Sequence, residues 1–315
     1  MRALRYSTFG PVAQVLRSEE LPEPQPGAHE IVVRARFVGI NPLDWKLVEG
    51  QFKLLAKSRP PCGVGAEFAG EVLRVGAQVS AVRPGDRVVA WLNPFAEPPR
   101  ALAEQVCVSA KQCVRIPDGV SFDVAAVTPV AGLSALQLCN HVHARAGQRV
   151  LVHGAAGGVG SLVVPMLRER GATVVATGSA DSQSFIRALG VDAQVDYAAP
   201  ATSWPGPFDA IIDCASKLDR AIVPTLMPAG GDIAVTLPSF PSVIFDPLLN
   251  RLRRIRWHTL RLEPNASELS QVLAQVAAGK LTVRLTRTYP FESAIDALTE
   301  SRGGHVRGKI AVAIP

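Results

Sequence analysis

The chain has 315 residues, of which 48% are hydrophobic and 19% charged, a balance that excludes intrinsic disorder and leaves ample material for a core. Lys and Arg number 33 against 27 Asp and Glu, a formal charge of +6. With basic residues at about one in ten, that total implies no polyanionic partner, and no specific nucleic-acid partner is expected.

The length suggests about two domains. Cys62, Cys107, Cys113, Cys139 and Cys214 are odd in number and lack a CxxC spacing, which argues against a disulfide framework and a zinc ribbon. Free thiols suit a reducing compartment. The opening MRALRYSTFGPVAQVL reads as strand and turn, not as a signal peptide. No apolar run approaches the roughly 18 residues of a spanning helix. A cytoplasmic location with no membrane partner is the expectation.

In chain order, the first part alternates Gly/Pro punctuation with short β-branched runs, at 31–35, 71–75, 87–90 and 105–108. Such runs indicate strands of a small, irregular β domain. From about residue 120 the texture changes. SFDVAAVTPVAGLSALQLCNHV starts with a Ser N-cap and continues with helical spacing. Strand, glycine-rich turn, helix and strand follow in RVLVHGAAGGVGSLVVPMLRERGATVVATGS, and three further segments repeat the alternation. Alternating strands and helices imply a doubly wound parallel sheet. In PLLNRLRRIRW, Leu248, Leu249, Leu252 and Ile255 recur at helical spacing, with the arginines on the opposite face. SELSQVLAQVAAGKL and FESAIDALTESR read as helices and GKIAVAIP as a last strand. The expected division is 1–118, then 119–257 as the doubly wound domain, then 258–315 returning to the first.

The strongest motif is Gly154-Ala155-Ala156-Gly157-Gly158-Val159-Gly160, between an apolar strand and a helix. That context suits a dinucleotide: glycines let the backbone approach a pyrophosphate, and the helix N-terminus offers N–H groups to it. Ala155 occupies the place of the first glycine of GxGxxG, so the text match is incomplete. A tight turn without ligand is the alternative. The next strand ends in Thr177-Gly178-Ser179 with no acid to bind ribose hydroxyls; Asp181 comes two residues later. Small and hydroxylic residues there, with Arg187 and Tyr197 further on, favour NADPH over NADH. Ser179 also reads as a helix N-cap, and Arg187 as a solvated side chain.

Six segments together resemble the medium-chain dehydrogenase/reductases, in the zinc-independent, zeta-crystallin-like quinone oxidoreductase branch: GINPLDWKLVEG, GVGAEFAGEV, VRPGDRVV, AGLSAL, HGAAGGVG and HVRGKIAV. The resemblance spans nearly the whole chain. It implies an α/β fold, a GroES-like catalytic domain plus a Rossmann domain, and commonly a homodimer through the nucleotide-domain sheet edge. Zinc-dependent relatives carry a Cys near position 41 and Gly-His-Glu at 65–67; here Asn41 and Ala66 stand, so no metal is expected.

The resemblance then implies hydride transfer from NADPH to a quinone, or to the C=C bond of a 2-alkenal or enone. Asn41 would face the nicotinamide and the acceptor, or else serve as an Asn-Pro turn residue. Lys46 would stabilise a developing oxyanion, or else lie on the surface. Thr128 would approach the nicotinamide, or else precede a proline kink. Thr236 and Leu237 would pass near the carboxamide through backbone groups, and Lys309 would lie close to the cofactor. A non-catalytic NADPH-binding protein is a further reading.

Overall fold

The computed structural model describes residues 1–236, 246, 250, 254–304 and 306–315. The first stretch runs β1 (Arg2–Tyr6), α1 (Val12–Val15), β2 (Leu16–Glu20), β3 (Glu30–Ile40), α2 (Pro42–Val48), β4 (Cys62–Gly63), β5 (Glu67–Val75), β6 (Arg87–Trp91), β7 (Gln105–Ser109) and β8 (Cys113–Arg115). The helices α3 (Phe122–Ala126) and α4 (Pro129–His141) follow. Next come β9 (Arg149–His153), α5 (Gly160–Glu169), β10 (Thr173–Gly178), α6 (Gln183–Arg187), β11 (Ala193–Asp196), β12 (Ala210–Asp213), α7 (Val223–Leu226), β13 (Gly231–Val235) and β14 (Ile255–Thr259). The chain ends with α8 (Ala266–Ala277), β15 (Leu285–Pro290), α9 (Ala294–Gly303) and β16 (Lys309–Ala313).

Two compact units result: Met1–Leu133 with Glu263–Pro315, and Ser134–Leu262. The boundaries lie beyond the 118 and 257 read from composition. The reason is packing: α3 lies on β3 and β5, which carries the first boundary past 118, and β14 pairs with β13 as far as Thr259, which carries the second past 257.

In the first unit a sheet runs β15-β16-β3-β5-β6-β8, with β7 also paired to β3. The long strand EIVVRARFVGI carries it. Its early residues pair with β7, its late residues with β16, and nearly its whole length with β5. Ile31, Val33, Phe68, Val88 and Val312 form its core and are essentially inaccessible. Each such side chain contributes roughly 1.5–3 kcal/mol by leaving water. A separate three-stranded sheet orders β2-β1-β4.

The second unit holds a parallel sheet ordered β11-β10-β9-β12-β13-β14. From β9 the chain moves out to β10 and β11, then returns to β12 on the other side. The order therefore reverses between β9 and β12, the kind of switch point where open α/β sheets bind ligands. Leu151, Val175, Ile211 and Ile233 fill one face of the sheet.

Two expected helices differ. The run from Ser121 breaks at Val127–Thr128, because Pro129 has no N–H to bond back and disfavours helix in the residue before it. Ile255, read as helical, opens β14 and pairs with Gly231. Leu248, Leu249, Leu252, Arg251 and Arg253 lie outside the described residues. Arg256 is not a free helix-face cation: it sits on β14 and pairs with both oxygens of Asp232, at 2.8 and 2.6 Å.

Candidate active site

In the parallel-sheet unit the glycine-rich turn leaves β9 at the switch point. Gly154 has φ 79°, a left-handed conformation that favours glycine. The turn is pinned to β10: Gly154 N–H donates to Thr177 Oγ1 at 3.3 Å and Ala155 N–H to Thr177 O at 3.2 Å. Ala155 is fully buried.

The glycines differ in what demands them. A Cβ on Gly160 would stand 2.5 Å from Gly154 O and 2.7 Å from Ala155 Cα, so α5 can close on the turn only with glycine there. A Cβ on Gly157 would meet only Gly154 O, at an ordinary 3.6 Å, and its φ is not left-handed. Neither packing nor backbone conformation requires glycine at 157. The space there is open and lies before the N-terminus of α5, whose free N–H groups suit an anion. Ala156, Gly158 and Val159 flank it, half-buried.

At the end of β10, Gly178 is a packing glycine: a Cβ would meet Ile186 Cδ1 at 2.2 Å. Thr177 is fully buried, its hydroxyl 2.7 Å from His153 Nδ1, so it braces the turn rather than facing a ligand. Burial pushes the His153 imidazole pKa down, and its ring stacks on Trp204 at 6.2 Å. Ser179 holds the expected N-cap position of the turn at 180–182, where its carbonyl accepts from Ser182 N–H at 2.9 Å, but its side chain makes no cap hydrogen bond. Tyr197 follows β11, its N–H on Gly178 O at 3.1 Å and its side chain 53% exposed. Arg187 is exposed, its guanidinium 2.9 Å from the Gln194 side-chain amide. Thr236 N–H donates to Asp213 O at 3.2 Å, and its hydroxyl meets Ser216 Oγ at 2.9 Å. Leu237 lies outside the described residues.

In the β-rich unit a buried polar cluster forms where β16, β3 and β5 lie side by side. Asn41 follows β3 and caps α2; Glu67 opens β5; Lys309 opens β16. Glu67 Oε1 accepts from Lys309 Nζ and from Asn41 Nδ2, both at 2.8 Å. Its Oε2 accepts from Val130 N–H at 2.7 Å. Lys309 Nζ also donates to Asn41 Oδ1 at 2.5 Å and Ile40 O at 3.2 Å. Gly39 makes the space, since a Cβ there would stand 2.4 Å from Glu67 Oε1. The Asn41 amide is thus held at both ends, with one N–H of Nδ2 beyond the bond to Glu67.

Asp44, in the first turn of α2, accepts from Asn41 N–H at 2.8 Å through Oδ2. Its Oδ1 is buried without a hydrogen-bond partner. Burial pushes its carboxyl up to about 7, with the Glu67 charge adding to the rise and the Lys309 ammonium opposing it.

Two further expected residues lie on segments next to this cluster. Thr128 is fully buried and its hydroxyl donates to Val124 O at 2.7 Å, which spends it on the joint between α3 and α4. Lys46 lies in the last turn of α2, its ammonium 5.4 Å over the Trp45 ring. Asn41 and Lys309 are brought together, which nothing in their spacing indicated. Glu67 and Asp44 were missed as site residues. Their available signal was an acid in each of two apolar, glycine-flanked segments. Among the described residues, no group of three or more His, Cys, Asp or Glu could hold a metal ion.

Comparison with known proteins adds to this geometry. Residues 27–118 match the alcohol dehydrogenase GroES-like domain family, and residues 189–312 a family described as zinc-binding dehydrogenase. The chain is 31% identical over 325 residues to a chloroplast envelope quinone oxidoreductase homolog of Arabidopsis thaliana, covering 99% of this chain and 98% of that one. It is 28% identical to an NADPH-dependent alkenal/one oxidoreductase of the same plant, over 99% of this chain and 79% of that one. The solved quinone oxidoreductase of Coxiella burnetii superposes with a TM-score of 0.90 at 29% identity, over 100% of this chain and 99% of the other.

Proposed function

The chain belongs to the quinone oxidoreductase branch of the medium-chain dehydrogenase/reductases, and from that premise we propose that it uses NADPH to reduce a quinone or a similar conjugated carbonyl compound. The observation that supports this reading most is Gly157: a glycine at a sheet switch point that neither packing nor backbone conformation demands, and that an approaching pyrophosphate would use.

Gly157–Gly160 and the N-terminus of α5 would hold the pyrophosphate, and Ser179 with Tyr197 the adenosine ribose end. The absence of an acid at the end of β10 favours the 2′-phosphate of NADPH. The cofactor supplies a hydride when bound. The rest falls to the chain's own side chains. Glu67 and Lys309 fix the plane of the Asn41 amide, so that its remaining N–H can donate to an acceptor oxygen without reorganising. Asp44, its carboxyl pushed up to about 7 by burial, exchanges a proton near neutral pH next to the backbone of Asn41. Lys46 remains a candidate cation for a developing negative charge, and Thr128 acts by fixing the start of α4.

Reduction of a 2-alkenal or enone at its C=C bond is the second reading, favoured by the relative named for alkenal and enone substrates. The test is oxidation of NADPH and NADH against a panel of quinones, enals and enones. Faster turnover of quinones with NADPH is expected. Turnover confined to enals overturns the acceptor assignment, and NADPH binding without turnover of any acceptor overturns the hydride-transfer reading.

Two further readings belong to this proposal. β14 is an outer strand, which supports a homodimer through that edge, although Asn250 takes up both outward backbone groups of Trp257, at 2.8 Å each. Sedimentation at twice 33.4 kDa checks it. A cytoplasmic location is supported by five free thiols. No helix among the described residues is long and apolar enough to cross a membrane, whereas the plant relatives are named for the chloroplast. Cell fractionation decides.

A further inference from the structure

Four large hydrophobic side chains stand exposed among the described residues, and three share one place: Leu54 at 86%, Leu55 at 53% and Phe95 at 41%. Single exposed leucines are ordinary; a cluster marks a contact surface. The cluster is braced. Lys53 N–H donates to Gly50 O at 3.1 Å, and Leu55 and Ala56 N–H both donate to Phe52 O at 2.9 Å. Phe52 meets Phe95 edge-on with ring centroids 5.8 Å apart, and Lys57 N–H donates to Pro94 O at 2.7 Å. Two segments therefore present one surface, with the leucines held outward by hydrogen-bonded turns.

Its charge is one-sided. Lys53, Lys57 and Arg59 are exposed and interleave with the leucines, and residues 51–59 contain no acid. The acids on either side are engaged elsewhere, Glu49 with Arg302 at 2.6 Å and Glu97 with Arg100 at 2.8 Å. Lys57 and Arg59 also rim a cavity of about 520 Å³ that includes Leu4, Leu21 and Pro61, with Arg5 and Arg100 as further cations. Arg5 is paired with Glu19 at 3.0 Å.

We propose that this surface docks on an anionic lipid bilayer, with Leu54, Leu55 and Phe95 entering the headgroup–acyl boundary and Lys53, Lys57 and Arg59 facing lipid phosphates. Apolar side chains flanked by cations on one face combine both attractions of an interfacial element. A second copy of this chain is disfavoured as occupant, because a symmetric contact would set the same cations against each other. The contact is peripheral and needs no spanning helix, so it revises the expectation of no membrane partner without contradicting the reason for it. It does not depend on the acceptor.

The test is co-sedimentation of the full chain with phosphatidylcholine vesicles, with and without phosphatidylglycerol. Binding is expected to the anionic vesicles and to fall as salt rises. Leu54→Asp/Leu55→Asp lowers it at least tenfold. Lys53→Gln/Lys57→Gln lowers it roughly tenfold or more, each lysine being worth about a factor of five. Circular dichroism shows that each variant folds, and the wild-type lipid and salt dependence requires no variant at all. Absent binding, or equal binding to neutral vesicles, overturns the proposal. So does a leucine variant that keeps vesicle binding but loses a dimer, or loses only affinity for long-tailed quinones.

Discussion

Glu67 and Lys309 meet at 2.8 Å with side-chain exposures of 0% and 6%, although 242 residues separate them. A buried pair is costly to break from one side, because the remaining charge stays desolvated. Glu67→Gln is expected to destabilise the protein by about 3 kcal/mol, and Lys309→Met similarly. The double variant should lose at least about 1 kcal/mol less than the sum. Urea unfolding of all four proteins measures this coupling, and additive losses would refute it. Asp44 gives a pH signature. Its folded-state value of about 7 lies above the ordinary 3.8. The folded state therefore binds the proton more tightly, and the stability this contributes is complete below pH about 4 and lost as pH rises through about 7. Relative to wild type, Asp44→Asn should gain stability across that window, with a slope of up to about 1.4 kcal/mol per pH unit. Parallel stability curves for the two proteins would sink the assignment. Asn41 and Lys309 were reached through resemblance, whereas Glu67 was weighed only against a zinc-ligand set. Charge compensation inside a sheet depends on which strands become neighbours, and no local pattern states that.

The elements around the glycine-rich turn separate packing from ligand. Gly160→Val should destabilise the α5–turn junction by several kcal/mol, since its Cβ would stand within 2.5 Å of Gly154 O. Gly157→Ala should leave the melting temperature nearly unchanged and weaken NADPH binding about tenfold or more, as read by cofactor fluorescence. Equal affinity in Gly157→Ala would remove the main support for the cofactor site. The strands of the parallel sheet were legible because buried strands read as unbroken apolar runs. Asn41 was weighed as an Asn-Pro turn residue, yet PLDWKLV after it forms α2, started by Pro42 and by the Asp44 carboxylate on Asn41 N–H. LTRTYP was not anticipated as β15, since most of its residues are exposed and polar and its pairing with β16 is decided by the partner strand.

At the scale of the molecule, the β-rich unit is built from both ends of the chain. β16 lies between β15 and β3, and brings Lys309 to Glu67. Removing Gly308–Pro315 should therefore prevent folding of that unit by stranding β15, baring an edge of β3 and leaving Glu67 uncompensated. Loss of native circular dichroism and rapid proteolysis are the expected readouts; a truncated chain that still melts cooperatively at the same temperature would contradict this account. The net charge of +6 also divides at this scale. Arg256 is spent on Asp232, while Lys53, Lys57 and Arg59 stand exposed beside apolar side chains. The sequence by itself determined the two architectures, the alternation of strands and helices in the parallel sheet and the position of the glycine-rich turn, because hydrophobic period, glycine and proline act over a few residues. Only the tertiary structure decided which glycines packing demands, which hydroxyls are already spent and which charges lie buried together. Those depend on distances between segments far apart in the chain, which sheet pairing sets.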